Sequence, residues 1–215
     1  MESRNKITHD EEKLDEERIN RLKKLSVPQV SDSLKKLKIK GQIISGISPL
    51  KNDMMVCGLA FTAVYANNHD PEPKLFESNR YMLDEAPRNK PLVIMIENKG
   101  TPGLASVWGF LVSLYAKNKG ILGTITNGHI RDVKEIQDLH YPVFCTGKSC
   151  KNSNEFYKVI ALQKSIQLNG VDVNPNDYVL ADSSGIAIIS RLMIDKVLLL
   201  AEEKQKERDE KSQVA

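Results

Sequence analysis

Long apolar runs are missing from this chain, and so are most of the short motifs that announce a chemistry. No stretch of about 18 apolar residues occurs and no apolar core follows the start, so neither a membrane span nor a secretory signal is expected. There is no G-x-G-x-x-G, P-loop, H-E-x-x-H or C-x-x-C, which leaves dinucleotide, phosphate-loop and zinc readings without an anchor. Cysteine is scarce: Cys57, Cys145 and Cys150 cannot all pair and have no metal-ligand spacing. Reduced thiols and a cytoplasmic setting are therefore expected, with Cys57 inside a strand core. A surplus of one charge is lacking too. Thirty-one Lys and Arg against 28 Asp and Glu give a net charge of +3, and the two signs are interleaved. A nucleic-acid groove would concentrate Lys and Arg on one face, so direct nucleic-acid binding is not expected.

What remains is an ordinary globular composition: 215 residues, 40% hydrophobic and 27% charged, enough for one sizeable core with extensions. Residues 1–24 carry seven acids and seven bases with apolar residues only at scattered positions such as Leu14, Ile19 and Leu22, which predicts a frayed start leading into a surface helix. The main domain is expected over 25–205. Leu192 to Lys211 begins apolar and then becomes all charge, so its first half should pack on the core or a partner, with 206–215 a solvated helix end or tail. Asn169-Gly170 between Ser165–Leu168 and Val171–Val173 signals a hairpin. With Tyr178–Ala181 and Ile186–Ile189 following, the C-terminal third reads as β-rich. No internal repeat is evident.

The centre reads as a βαβ unit. Pro91–Glu97 is an apolar run of strand length, Asn98–Gly103 is loop, and Ala105–Lys119, with Leu104, Trp108, Leu111 and Tyr115 at helical spacing, predicts a helix ended by Gly120. Ile121–Thr126 then reads as a buried strand parallel to the first, and a right-handed crossover would bring the helix start near its end. There Gly128-His129-Ile130-Arg131-Asp132-Val133-Lys134-Glu135 forms a turn into a short helix over Val133–Leu139. An Arg fork grips a carboxylate, and a neighbouring Asp holds a hard divalent cation, so the pair suits a metal-bound keto acid. Asp132 with Glu135 three residues on equally matches a capping box, and both roles are compatible. His129, a lone imidazole in a turn, reads as a local hydrogen-bonding residue rather than a base.

Taken together, Trp108-Gly109, Gly120, Gly123, Gly128 and Arg131-Asp132-x-x-Glu135 resemble the regulator-of-ribonuclease-activity-A (RraA) family, which includes class II 4-hydroxy-4-methyl-2-oxoglutarate aldolases. Val30–Leu34, Gly46–Leu50, Gly58–Thr62, Tyr141–Phe144 and Asp177 through Ala181–Gly185 resemble its other segments in the right order. The resemblance implies an α/β, layered β/β/α fold with the central βαβ unit and the β-rich C-terminal third. It also implies a lyase that gives pyruvate through a metal-stabilised enolate, from 4-hydroxy-4-methyl-2-oxoglutarate-type keto acids or by oxaloacetate decarboxylation. By the same resemblance, Asp132 matches the ligand of Mg2+ or Mn2+, and Arg131 the residue on substrate carboxylate and keto oxygen. Glu135 matches the acid that completes the motif. The N–H groups of Leu111 and Val112, after Gly109, match those that hold the pyruvate carboxylate. A carboxylate from a neighbouring subunit's C-terminal helix would be Glu203 or Glu207, in a homo-oligomer of trimer or hexamer type.

One position departs from the family pattern. Many of the family's aldolases place an acid on a metal-bound water directly after the helix glycine, where this chain has Phe110. Some members act instead by docking to a ribonuclease or helicase without needing the metal, and that non-catalytic role is the competing expectation. Retention of Arg131, Asp132 and Glu135 favours the enzyme, whereas Phe110 favours the binder.

Overall fold

Ten consecutive buried side chains, Val56 to Tyr65, open the strand Val56–Asn67, and the absence of polar alternation means that both of its faces are covered. The computed structural model describes residues 2–69, 75–152 and 156–213. In chain order its elements are α1 (Glu2–Leu22), α2 (Val27–Lys36), β1 (Ile43–Ile44), β2 (Ser48–Pro49), β3 (Val56–Asn67), α3 (Leu75–Glu85), β4 (Leu92–Asn98), β5 (Ser106–Trp108), α4 (Phe110–Asn118) and β6 (Gly123–Thr126). They continue with β7 (His129–Ile130), α5 (Val133–Asp138), β8 (Val143–Cys145), β9 (Gly147–Lys148), β10 (Tyr157–Leu162), β11 (Ile166–Leu168), β12 (Val171–Val173), β13 (Tyr178–Asp182), β14 (Gly185–Ile189) and α6 (Ile194–Gln213).

The main sheet runs β1-β14-β13-β3-β4-β6-β8-β2, with β10 added to β3. Its centre, β3-β4-β6-β8, is parallel, and its flanks are antiparallel. Alternate residues of β3 divide between two cores. Leu59, Phe61 and Tyr65 meet Ile19 and Leu22 of α1, Val30 and Leu34 of α2, and Val197 and Leu198 of α6. Val56, Ala60 and Val64 face the other way, onto a cluster closed by Ile166 and Leu168 of β11 and Val171 and Val173 of β12. Helices on one face and a hairpin on the other make the layered α/β arrangement. The hairpin turns at Asn169 (φ 47°) and Gly170 (φ 84°), the left-handed pair that a two-residue loop requires.

The central βαβ unit forms as expected, with β4 and β6 parallel. Its helix ends where the sequence puts the stop: Gly120 adopts φ 82°, Ile121 N–H donates to the Ala116 carbonyl and Gly120 N–H to that of Lys117. Its start differs. The helix begins at Phe110, and Ser106–Trp108, expected to be helical, is a strand. Trp108 is 2% exposed, so its place in the apolar periodicity is real, but strand pairing claims it instead of the helix.

The second half of the charged N-terminal stretch is also built into the fold. On α1, Asp15, Ile19 and Leu22 are buried, while Leu14 is exposed. The Asp15 carboxylate accepts from both Arg191 Nη atoms at 3.0 Å and from the Tyr178 hydroxyl. Burial, with that carboxylate beside it, pushes the Tyr178 phenol up to about 12. Arg18 pairs with Asp195, and Arg21 with Glu202 at 2.8 Å, tying α1 to α6. Beyond this point α6 continues as helix through the charged stretch to Gln213. Removing one partner of a buried ion pair costs about 3–5 kcal/mol. Here Arg191 is 37% exposed, so water makes up part of the loss. Asp15→Ala is therefore expected to lower the urea-unfolding free energy by about 2 kcal/mol; a change below about 0.5 kcal/mol would mean that α1 docks through its apolar contacts alone.

Candidate active site

Three short strands form a second sheet in the order β5-β7-β9, all parallel. It is joined to the ends of the main sheet by side-chain bonds. The Asn127 side chain accepts from the Asn98 N–H at the end of β4, at 2.6 Å. Thr126 Oγ1 accepts from Gly128 N–H at 2.9 Å, and Thr146 Oγ1 donates to the Asn127 carbonyl at 2.9 Å. Ligands of parallel sheets sit at the carboxyl ends of the strands. In this small sheet those ends carry Gly109 after β5 and Arg131-Asp132 after β7.

Pairing holds the two ends side by side. Trp108 stands opposite Ile130, and the Arg131 N–H donates to the Trp108 carbonyl at 3.1 Å. The corner from β5 into α4 is fixed from inside, where Trp108 Nε1 donates to Ser113 Oγ at 2.8 Å and Ser113 Oγ to the Gly109 carbonyl at 3.0 Å. Gly109 is extended (φ −163°), a conformation open to any residue, so its requirement is space. A Cβ there would lie 2.9 Å from Asp132 Oδ2 and 3.2 Å from Arg131 Cγ. The Asp132 and Arg131 side chains thus lie directly over the bare backbone at the start of α4.

Asp132 occupies the N-cap position of α5 but does not cap it. Its backbone is left-handed (φ 56°, ψ 43°) and its side chain makes no cap hydrogen bond, which corrects the capping-box expectation for Asp132 and Glu135. The carboxylate turns to the other helix: Oδ2 accepts the Phe110 N–H at 3.2 Å and lies 3.4 Å from Arg131 Nε. A left-handed non-glycine residue costs roughly 1–3 kcal/mol. The α4 N-terminus, where N–H groups and helix dipole favour an anion, offsets that cost.

The remaining expected residues divide into two groups. The N–H groups of Leu111 and Val112, second and third in α4, lie outside the i to i−4 ladder that opens with Ser113 N–H on the Gly109 carbonyl, so they face the same anion site. The Leu111 side chain is 58% exposed. Phe110 is half-buried and packs against the main core, so its ring has a structural partner, while its backbone N–H is the group that meets Asp132. Glu135, Glu203 and Glu207 are exposed, the first in α5 and the others on α6, where Glu203 lies between Glu202, paired with Arg21 of α1, and Lys204, paired with Asp32 of α2. The His129 ring stacks between Gly103 and Gly147, and its Nδ1 is buried with no partner among the described residues, so the expected local hydrogen bond is not made there. The Trp108–Ser113 bond and the Asn127 tie went unforeseen; an Asn between a buried strand and a Gly was the one available signal for the latter.

Among the described residues no group of three or more His, Cys, Asp or Glu could enclose a metal. The one carboxylate expected as a metal ligand at this corner is that of Asp132. That fits magnesium or manganese, which keep several waters and take one or two carboxylates plus substrate oxygens, and it does not fit a caged zinc or calcium.

Comparison with known proteins shows the family and the fold. The model of the RraA-like family, described as Aldolase/RraA, matches residues 27–188. Protein DlpA of Legionella pneumophila is 34% identical over 171 residues, which cover 79% of this chain and 27% of that much longer relative. A protein of Halalkalibacterium halodurans named as a candidate 4-hydroxy-4-methyl-2-oxoglutarate aldolase is 28% identical over 82% of this chain and 78% of its own length. The crystal structure of Streptomyces coelicolor RraAS2, described as an unusual member of the RNase ES inhibitor RraA family, superposes with a TM-score of 0.79 at 22% identity, covering 91% of this chain and 96% of that one. No helix among the described residues is long and apolar enough to cross a membrane.

The close approach at Gly109 has a measurable consequence. Gly109→Ala forces the short Asp132 carboxylate aside without straining the backbone, so magnesium affinity by calorimetry should fall about 10- to 100-fold while the melting temperature moves by only a few degrees. Unchanged affinity would separate Asp132 from metal binding.

Proposed function

Because the chain belongs to the Aldolase/RraA family, we propose that it is a divalent-metal-dependent lyase that cleaves 4-hydroxy-4-methyl-2-oxoglutarate-type 2-keto acids and decarboxylates oxaloacetate, releasing pyruvate. The observation that carries this reading is the meeting of the α4 N-terminus, Arg131 and Asp132 over Gly109. The naming of relatives as candidate aldolases supports it.

Each group has a task that suits a 2-keto acid. The free N–H groups of Leu111 and Val112, at the positive end of a helix dipole, take the C1 carboxylate. Arg131 presents its guanidinium to the keto oxygen, where negative charge develops as the C3–C4 bond breaks and its electron pair moves toward C2. Asp132 would hold the Mg2+ or Mn2+. When bound, that cation supplies further positive charge against the enolate oxygen. Both substrate types need this one arrangement, since each leaves a pyruvate enolate. We propose further that the protein works as a homo-oligomer, a trimer or hexamer, in the cytoplasm, with Glu203 or Glu207 of one subunit reaching the site of the next. Their exposure on α6 leaves them free for that role.

Phe110 supports a second reading, a non-catalytic protein that binds and regulates a ribonuclease or helicase. Phe110 occupies the sequence position at which many of the family's aldolases carry an acid for a metal-bound water, and an aromatic ring cannot accept that hydrogen bond.

Pyruvate release from oxaloacetate, measured with and without magnesium, separates the two readings. The enzyme reading predicts magnesium-stimulated turnover that Asp132→Ala abolishes with the fold intact by circular dichroism; turnover undiminished in that variant would remove Asp132 from the site. Arg131→Lys keeps the charge but loses the planar fork, and should cost five- to over a hundredfold in kcat/KM, equivalent to about 1–3 kcal/mol. Equal efficiency would make Arg131 structural.

A further inference from the structure

The small sheet has a third strand end that the proposed chemistry leaves unused. Strand β9 pairs with β7 in the register His129 to Gly147 and Ile130 to Lys148, and the Ser149 N–H, donating to the Ile130 carbonyl at 2.9 Å, completes that last pair and fixes the backbone just past β9. The same offset sets Ser149 beside Arg131, as the β5 register sets Gly109 on its other side. Gly109, Arg131 and Ser149, each the residue next after its strand, therefore form one row across the carboxyl ends of the three parallel strands, with neighbouring strands about 4.8 Å apart. Two residues earlier on β7, the His129 ring packs against Gly147 of β9. Ser149 is half-buried and, among the described residues, its hydroxyl has no hydrogen-bond partner while its N–H is held in the ladder. A hydroxyl held by its backbone and left unpaired in such a row is free for a ligand.

Substrate length decides which part of the ligand arrives there. With C1 on the α4 N–H groups beside β5 and the C2 oxygen against the Arg131 guanidinium just after β7, the chain beyond C3 extends along the row to β9. We propose that Ser149 is a substrate-contact residue whose hydroxyl accepts a hydrogen bond from the C4 hydroxyl of a 4-hydroxy-2-oxo acid, making it the residue that recognises the half of the substrate lost on cleavage. This rests on the lyase reading above. The C4 hydroxyl becomes a carbonyl as C3–C4 breaks, its proton leaving to solvent while the C–C electron pair passes to the pyruvate half. A hydrogen bond to that hydroxyl therefore both orients the bond to be broken and favours proton loss.

The test compares two reactions of one site. Retro-aldol cleavage of 4-hydroxy-4-methyl-2-oxoglutarate needs the C4 contact, whereas exchange of pyruvate methyl protons in D2O, followed by NMR, needs the enolate groups and has no C4. Ser149→Ala should lower kcat/KM for cleavage about tenfold, the value of one neutral hydrogen bond lost in a desolvated site, and leave pyruvate exchange within twofold of wild type. Ser149→Thr, which keeps a hydroxyl, should retain most of the cleavage. Equal losses in both reactions, or none in either, would overturn the contact, as would wild-type protein that exchanges pyruvate protons but cleaves no 4-hydroxy acid. Wild-type protein inactive in both reactions would instead bring down the lyase reading, and this contact with it.

Discussion

The pairing of two very short parallel strands, β5 with β7, is the constraint on which the candidate site depends. It brings residue 109 beside residue 131 across more than twenty positions of sequence, and the Arg131 N–H on the Trp108 carbonyl closes the rung from which both ends emerge. Strands of two and three residues cannot hold such a geometry by themselves. They are held by the main sheet below, through Asn127, Thr126 and Thr146, and by the buried Trp108–Ser113–Gly109 chain above. The left-handed Asp132 follows from this rigidity. With β7 fixed before it and α5 after it, one residue absorbs the change of direction and aims its carboxylate at α4 in place of its own helix.

Much of the architecture was legible from the sequence because it is written in local rules. The apolar run before Asn98, the Gly120 stop and the Asn169-Gly170 turn each carry one dominant physical cause, and each forms as read. The extra strand at Ser106–Trp108 was not legible. Three residues are too few for periodicity to separate strand from helix, and the partner that decides the matter, His129–Ile130, is distant in sequence. The residues of the candidate site stand out in the sequence as a resemblance and as an Arg-Asp pair. Their orientation was not legible, since a capping box and a carboxylate facing another helix leave the same letters in the chain. Ser149 was invisible for the same reason, because only register sets it beside Arg131.

The charged ends show a related limit. Interleaved acids and bases in the first 24 residues look like a solvated surface, yet Asp15, Arg18 and Arg21 have specific partners on β13, on α6 and at Arg191 between β14 and α6. Charge pattern alone cannot distinguish ions paired within the fold from ions paired with water; only burial does. Through these contacts α1 and α6 are one unit, so any subunit that reaches its neighbour through Glu203 or Glu207 does so from an anchored helix.

The central claim is that the α4 N-terminus, Arg131 and Asp132 form a single clamp for a 2-keto acid and its cation. Oxalate has the planar, two-oxygen shape of the pyruvate enolate and cannot react, so calorimetric titration of oxalate with and without magnesium measures the clamp apart from any chemistry. The account predicts one oxalate per chain, at least tenfold tighter with magnesium present. Binding that ignores magnesium, or no binding at all, would contradict it.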